Sequence, residues 1–390
     1  MKQVVSRRWR RCAQLVLAPM ILGLMLAAQR SAHATEYVYS ANQGEHDLSA
    51  YRINPKTGQL VPLPGSPYKT GRYPVSTVVT PDGRFIYATN QGSASISAFR
   101  LDEDHGRLVE LDGSPYAAGR YPDAIELSID GRFAYVANED DDQLRIFAVD
   151  AQTGALHDLG LTAATGAHPI GVTVAPNNRF VYVSNFNGSS VSAYRRDLQS
   201  GALTAVGGPA ATDEHPIYTA VSPDNRYLYV ANYGSITVSA FAIDSDSGAL
   251  TPVPGSPFRA GAQPYSVTVD PKMHYVYAAN WGSHDVSVFR LQAQSGALVE
   301  VQGSPFKTDW FPYAVVVDQS DKFVYVANNG AGNISAYRID QRSGALKDIK
   351  GTPFLSGAGP YSLALGKRPG AARTAGVTHV VAAKDRGIHH

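Results

Sequence analysis

Residues able to do acid–base chemistry gather in one part of this chain: Arg72, Arg120, Asp123, Glu126, His168, Glu214 and His215. A histidine takes and returns protons near neutral pH. An arginine grips a carboxylate or steadies an oxyanion. Glu126 is the most informative member. The positions in register with it elsewhere are Val78, Thr173, Ala220, Thr268, Val316 and Ala364, all small or apolar. A carboxylate buried in such a strand must be paired or titrate high. The expectation is that Arg120 or Arg72 pairs with Glu126. His168, His215, Arg120, Arg72 and Glu126 are therefore the candidate catalytic set, with a structural ion pair between neighbouring units as the alternative.

The elements that would position these residues follow from a repeat. Tyr37–Asn42, Phe85–Asn90, Phe133–Asn138, Phe180–Asn185, Tyr227–Asn232, Tyr275–Asn280 and Phe323–Asn328 are versions of one six-residue string, which ends on asparagine. The spacing is constant to within about one residue, the mark of a radial or stacked repeat architecture. One unit shows the grammar. Pro264–Val269 alternates as a strand, and Asp270–Met273 turns. His274–Asn280 and Asp285–Leu291 are further strands, and Ala297–Glu300 is a shorter fourth. Gly303-Ser304-Pro305 reads as a loop. Four antiparallel strands per unit, with no sustained helical periodicity, predict an all-β, seven-bladed β-propeller.

The mature chain begins on a second strand and its last repeat stops after a first strand, Pro360–Leu365. The C-terminal strand is thus expected to complete the N-terminal blade and close the ring. The loops before each proline and after each asparagine should meet at one end of the central channel. There, Tyr218, Tyr265, Trp281, Trp310 and Tyr313 offer aromatic surface, and Asp123 and Glu214 offer carboxylates. This composition suits a sugar-like ligand, by stacking and hydrogen bonding. Aromatic residues that merely seal the mouth are the alternative.

Residues 1–34 read as a signal peptide. Lys2, Arg7, Arg8, Arg10 and Arg11 precede the apolar run Leu15–Ala28, and Ala32-His33-Ala34 is a cleavage site. Residues 35–366 are assigned to the propeller and 367–390 to a loose tail. A periplasmic or secreted monomer is expected, with no membrane span after cleavage. The net charge is +1, with both signs interspersed, so no nucleic-acid partner is expected. The only cysteine, Cys12, lies within the signal. No cofactor and no metal site are expected. Glu139-Asp140-Asp141-Asp142 reads as a solvated acidic loop rather than a calcium loop, because it lacks the glycine and spacing of one.

The Tyr-Val-Ala-Asn strings, with Ser222-Pro223-Asp224-Asn225-Arg226 before one and Asp246-Ser247-Gly248-Ala249-Leu250 after it, resemble the lactonase-type seven-bladed propellers and the Tyr-Val-Thr-Asn repeat proteins. That resemblance implies hydrolysis of a small lactone, as in the 6-phosphogluconolactonases. On this chain's own candidate residues, which match no motif of that family, water would attack the carbonyl, His168 or His215 would take its proton, and Arg120 or Arg72 would face the oxyanion. The resemblance also implies Pro-Arg-His at the start of an innermost strand. The matching positions here read Pro264-Tyr265-Ser266, Pro312-Tyr313-Ala314 and Pro360-Tyr361-Ser362. The other expectation is therefore a propeller without catalysis, which binds a glycan or a protein partner at the mouth.

Overall fold

The computed structural model describes residues 35–368, so the segment read as a signal and most of the segment read as a tail lie outside the described residues. Seven antiparallel sheets stand around a central channel. Blade 1 joins Thr35–Lys69 to the C-terminal strand Pro360–Arg368. Blades 2 to 7 follow in order, and their innermost strands begin at Pro74, Pro122, Pro169, Pro216, Pro264 and Pro312.

The second strand of each blade carries the repeated string. In blades 2 to 7 all of its residues are buried, because the neighbouring blades cover both faces. Its central tyrosine ties blade to blade. Tyr87, Tyr135, Tyr182, Tyr229 and Tyr325 donate their hydroxyls to the carbonyls of Gly154, Gly201, Gly248, Gly296 and Gly58, each in the next blade.

The asparagine that ends the string is a clamp. Asn328 donates from Nδ2 to Asn333 Oδ1 and Ser335 Oγ, both at 2.8 Å. Asn42, Asn90, Asn185, Asn232 and Asn280 repeat this pattern five and seven residues ahead. The amide also explains a glycine. A Cβ on Gly119 would sit 2.4 Å from Cγ of Asn138. The repeated motif thus shapes the backbone around the mouth.

The outer edge holds one more element than the sequence predicts. After the fourth strand, a two-residue strand such as Phe306–Lys307 returns to pair with the third strand. The Gly-Ser-Pro segment, read as a loop, lies between the two. The Ser304 hydroxyl accepts the Val288 N–H at 2.9 Å where no strand carbonyl is present. Ser66, Ser114, Ser256 and Thr352 do the same in their blades. Blade 3 uses one continuous strand, Leu156–Ala164, instead.

Ring closure is as expected. Thr35–Asn42 pairs antiparallel with the C-terminal strand from Thr35 opposite Arg368 to Asn42 opposite Pro360. That strand runs to Arg368, two residues beyond the boundary drawn at 366. Among the described residues, helix is limited to three short 3₁₀ turns, Gln91–Ser93, Glu139–Asp141 and Asn329–Ala331. Among the described residues, no helix is long and apolar enough to cross a membrane.

Candidate active site at the channel mouth

Two loops per blade build one end of the channel. The residue after each asparagine donates its N–H to the carbonyl of the residue before a proline: Gln43 to Gly359, Gln91 to Tyr73, Glu139 to Tyr121, Phe186 to His168, Tyr233 to His215, Trp281 to Gln263 and Asn329 to Phe311. Each acceptor residue has positive φ, between 52° and 68°. That conformation is costly without glycine and persists only where the surroundings enforce it. His168 and His215 both occupy this slot.

The residue after the proline is a β-bulge. Pro122 faces Asn138 and Ala124 faces Ala137, so Asp123 is extra. The same shift frees Val75, Ile170, Tyr265, Tyr313 and Tyr361, and in blade 5 it spans Ile217 and Tyr218. A bulge re-aims its side chain. Here the bulged side chains meet over the channel.

One side of the mouth is aromatic. Tyr265 lies 4.2 Å from Tyr313 and 6.0 Å from Tyr218 between ring centroids, and Tyr313 lies 4.6 Å from Tyr361. The Tyr265 and Tyr361 hydroxyls hydrogen-bond to each other. Tyr233 and Trp281 extend this wall. The Tyr218 hydroxyl is buried without a hydrogen-bond partner among the described residues.

The other side is polar. Asp123 is buried, and its Oδ1 accepts the Gln91 side-chain amide at 2.8 Å. Burial, then the charge of Glu139, pushes the Asp123 carboxyl well above the usual carboxylate range. An ionised Asp123 would in turn raise the pKa of Tyr218, Tyr265 and Tyr361, so the carboxyl lies near these three rings. Glu139 Oε1 lies 3.0 Å from His168 Nδ1, and this bond raises the imidazole pKa. His168 N–H also donates to Asp142 Oδ1 at 2.8 Å.

Glu126 lies below the mouth, on a cavity of about 360 Å³ also lined by Thr77, Thr173, Thr219 and Thr268. Burial pushes its carboxyl up to about 7, opposed only by the Leu127 N–H. The expected partners are absent. Arg120 is held at the rim by Asp141, with Nε to Oδ1 at 2.6 Å, and by the Asp140 carbonyl. Arg72 donates to the Gly92 carbonyl at 2.8 Å. Each arginine thus bonds within its own blade's loops, and the predicted pair with Glu126 is not formed.

The remaining candidates divide. His215 stacks on Phe186 at 4.5 Å and has no carboxylate partner among the described residues. Glu214 is exposed. Trp310 is 64% exposed and lies parallel to His284 at 5.9 Å, on the outer rim. Two residues absent from the candidate set belong with Asp123: Gln91 and Glu139. The signal was available, since both occupy the slot after the asparagine. Glu139 was hidden by its acidic run, which reads as solvated.

The description Lactonase, 7-bladed beta-propeller, matches residues 25–120, 64–172, 111–214, 161–254 and 249–359. The chain belongs to the seven-bladed lactonase family. Structural relatives of this lactonase-family propeller include a candidate 6-phosphogluconolactonase of Bacteroides fragilis, with a TM-score of 0.75 and 20% identity over 86% of this chain and 99% of that one. The periplasmic gluconolactonase of Pseudomonas aeruginosa matches with a TM-score of 0.73 and 20% identity, over 85% and 99%. A chain of Kuenenia stuttgartiensis hydrazine synthase matches with a TM-score of 0.58 and 19% identity, over 80% and 92%. At these identities the likeness is one of fold, and the last relative shows that the fold alone does not set the chemistry. No curated protein matches this lactonase-family chain by sequence.

Proposed function

We propose that this chain hydrolyses an uncharged sugar lactone at the channel mouth. The observation that carries the reading is the Glu139–His168 pair. With Nδ1 bonded to Glu139, the imidazole has Nε2 free to act as a base, the arrangement of a carboxylate-oriented histidine. In the proposed reaction a water oxygen attacks the lactone carbonyl and its proton passes to Nε2 of His168. The ring C–O bond of the tetrahedral intermediate then breaks, and the leaving alkoxide takes that proton back. In this reading the Asp123 carboxyl, whose raised pKa favours the protonated form, offers an O–H to the developing oxyanion. Arg120 and Arg72 are not assigned that role, because their guanidinium groups bond to loop atoms. The tyrosine wall would stack on the sugar ring.

The charge of the site supports the substrate class. Glu139 and the Asp140–Asp142 run crowd the polar side with negative charge, which disfavours a phosphorylated lactone. Export to the periplasm is part of the proposal. It rests on the basic and apolar N-terminal segment and on the periplasmic relative. A pH-stat assay on the purified chain tests the reading, with sugar lactones beside 6-phosphogluconolactone and simple γ- and δ-lactones. Turnover of the unphosphorylated sugar lactones, lost in His168→Gln, supports it. Spontaneous rates across the panel would overturn it.

A second reading, binding of a glycan or protein without catalysis, is favoured by the exposed Trp310 beside His284. A binding screen that finds a glycan ligand in the absence of turnover would select it.

A further inference from the structure

At the end of the ring opposite the mouth, the innermost strands of blades 2 to 7 lead into tight turns, and three of these turns share one hydroxyl pattern. In Thr80-Pro81-Asp82-Gly83-Arg84, the Thr80 hydroxyl donates to Asp82 at 2.6 Å and accepts the Phe85 N–H at 3.0 Å. Ser128 and Ser222 do the same in their turns. The fourth residue has positive φ and is glycine or asparagine: Gly83, Gly131, Asn178 and Asn225. Where it is asparagine, it reaches back to the preceding blade. Asn178 Oδ1 accepts the Ile129 N–H at 2.9 Å, and Asn225 Oδ1 accepts the Asn177 N–H at 2.6 Å.

Blades 6 and 7 break this pattern together. Their turns read Asp270-Pro271-Lys272-Met273-His274 and Asp318-Gln319-Ser320-Asp321-Lys322. Asp321 takes the slot of Asn178 and Asn225, with φ 59°, and so carries a carboxylate to the turn of blade 6. It is 1% exposed, and neither carboxylate oxygen makes a hydrogen bond among the described residues. The Lys272 ammonium, on a half-exposed side chain, approaches Oδ2 at 3.4 Å, and His274 Nδ1 stands 4.0 Å from the same atom. Asp270 is buried, and its two oxygens accept the His274 and Tyr275 N–H groups at 2.8 and 3.0 Å. One ligand atom each from Asp270, His274 and Asp321 lie within 4.8 Å of one another. Burial, followed by the pull of the backbone N–H bonds and the charge of Asp321, leaves the Asp270 carboxyl raised to about 6. Burial likewise raises Asp321, against the pull of Lys272. Two buried carboxylates that repel each other are stabilised by a cation between them.

We propose that Asp270, His274 and Asp321 bind one divalent transition-metal ion, which clips blade 6 to blade 7. The donor set selects the metal class. Zinc takes imidazole together with carboxylate, whereas calcium and magnesium take oxygen donors. Two carboxylates balance the ion's charge, and a neutral imidazole completes the protein ligands. Remaining positions go to water, since His274 is half-exposed. Lys272, free on its surface side, yields its place to the ion. The site lies at the far end of the strands from the mouth, so it stands or falls separately from the lactonase reading.

The test uses the full chain, stripped with a chelator and titrated with zinc. The readouts are calorimetry, bound metal per chain and the thermal midpoint, with calcium and magnesium run in parallel. Two variants restore residues the other turns carry: Asp321→Asn and His274→Arg. The expected result is one zinc per chain more in the wild type than in either variant. At a hundredfold excess over Kd, zinc raises the wild-type midpoint by about 4 °C. This rise is absent in Asp321→Asn, which without metal is at least as stable as the wild type. Equal zinc uptake by wild type and Asp321→Asn, or a wild-type midpoint that zinc does not move, would overturn the proposal. A calcium response equal to that of zinc would overturn the metal class.

Discussion

Glu139 Oε1 and His168 Nδ1 stand 3.0 Å apart across the junction of blades 3 and 4, and the carboxylate holds the imidazole in its charged form to a higher pH than usual. Both residues sit in slots that every blade repeats, yet only in this sector do the slots hold an acid facing a histidine. The fold supplies the positions, and two substitutions in the repeat turn them into a candidate acid–base pair.

The pair predicts a pH profile. A base works only when neutral, so activity rises as pH rises through the His168 pKa, which Glu139 holds above its ordinary value. In Glu139→Gln that carboxylate is gone. The rising limb of kcat/KM against pH therefore moves to lower pH, while kcat falls because the ring loses its fixed orientation. A limb that stays in place in the variant would remove His168 from the base role.

Asp123 predicts a separation of activity from stability. Asp123→Asn keeps the oxygen that accepts from Gln91 and is nearly isosteric with the protonated acid. It replaces the acidic O–H by a weaker donor. Lactone turnover is expected to fall by about 10²-fold, in the range found for loss of an oxyanion donor. The thermal midpoint at pH 8 is expected to hold or rise. The sign follows from the raised pKa: above the ordinary carboxylate range the wild type must either ionise a buried group or keep it protonated, and both cost stability as pH rises. Loss of activity accompanied by a collapse of the midpoint would mean that Asp123 is structural.

Glu126 carries the same linkage without a proposed catalytic role. Its pKa is about 7 in the folded protein, against about 4.5 in the unfolded chain, because burial penalises the charged form and the Leu127 N–H offsets only part of that. Below pH 4.5 both states hold the proton and nothing is lost. Between those values the penalty grows, and above pH 7 it levels off. Glu126→Gln should therefore stabilise the protein by about 2 kcal/mol at pH 8, after allowance for water entering the channel, and by little at pH 4.5. Denaturant unfolding at the two pH values checks this. Equal effects at both would show that the carboxyl is not perturbed.

The architecture was legible because its determinants are local and repeated. The Tyr-Val-Ala-Asn string fixes a strand, and Asn328 and its counterparts fix the turn that follows. The ring of residues after the prolines was also legible, although the bulge that aims them was not. Contacts between neighbouring units were harder to read. Arg120 could have faced Glu126 by position alone, but Asp141 lies closer and takes its Nε. Glu139 looked solvated within its acidic run and is bonded to His168 from the next blade. The Asp270, His274 and Asp321 cluster spans two units and shows only as paired departures from the turn pattern. The outer two-residue strands were missed because a strand that short carries no periodicity.

Ring closure yields a final prediction. The strand Pro360–Arg368 is the only innermost strand of blade 1, and it pairs with Thr35–Asn42 along its length. Removing Pro360–Leu365 exposes the edge of Thr35–Asn42 and uncovers Val38, which is fully buried. It also takes Leu363 and Leu365 from the core between blades 7 and 1. The side-chain bond from Tyr325 to the Gly58 carbonyl cannot compensate, because it joins blade 7 to the outer part of blade 1 and leaves the channel open. The deletion variant should lose its cooperative thermal transition, or aggregate through the exposed strand. Tyr325→Phe, which keeps the closing strand and removes only this hydroxyl, should cost about 1–2 kcal/mol. A deletion variant that unfolds in one transition close to the wild-type midpoint would mean that the remaining sheets hold the ring without the closing strand.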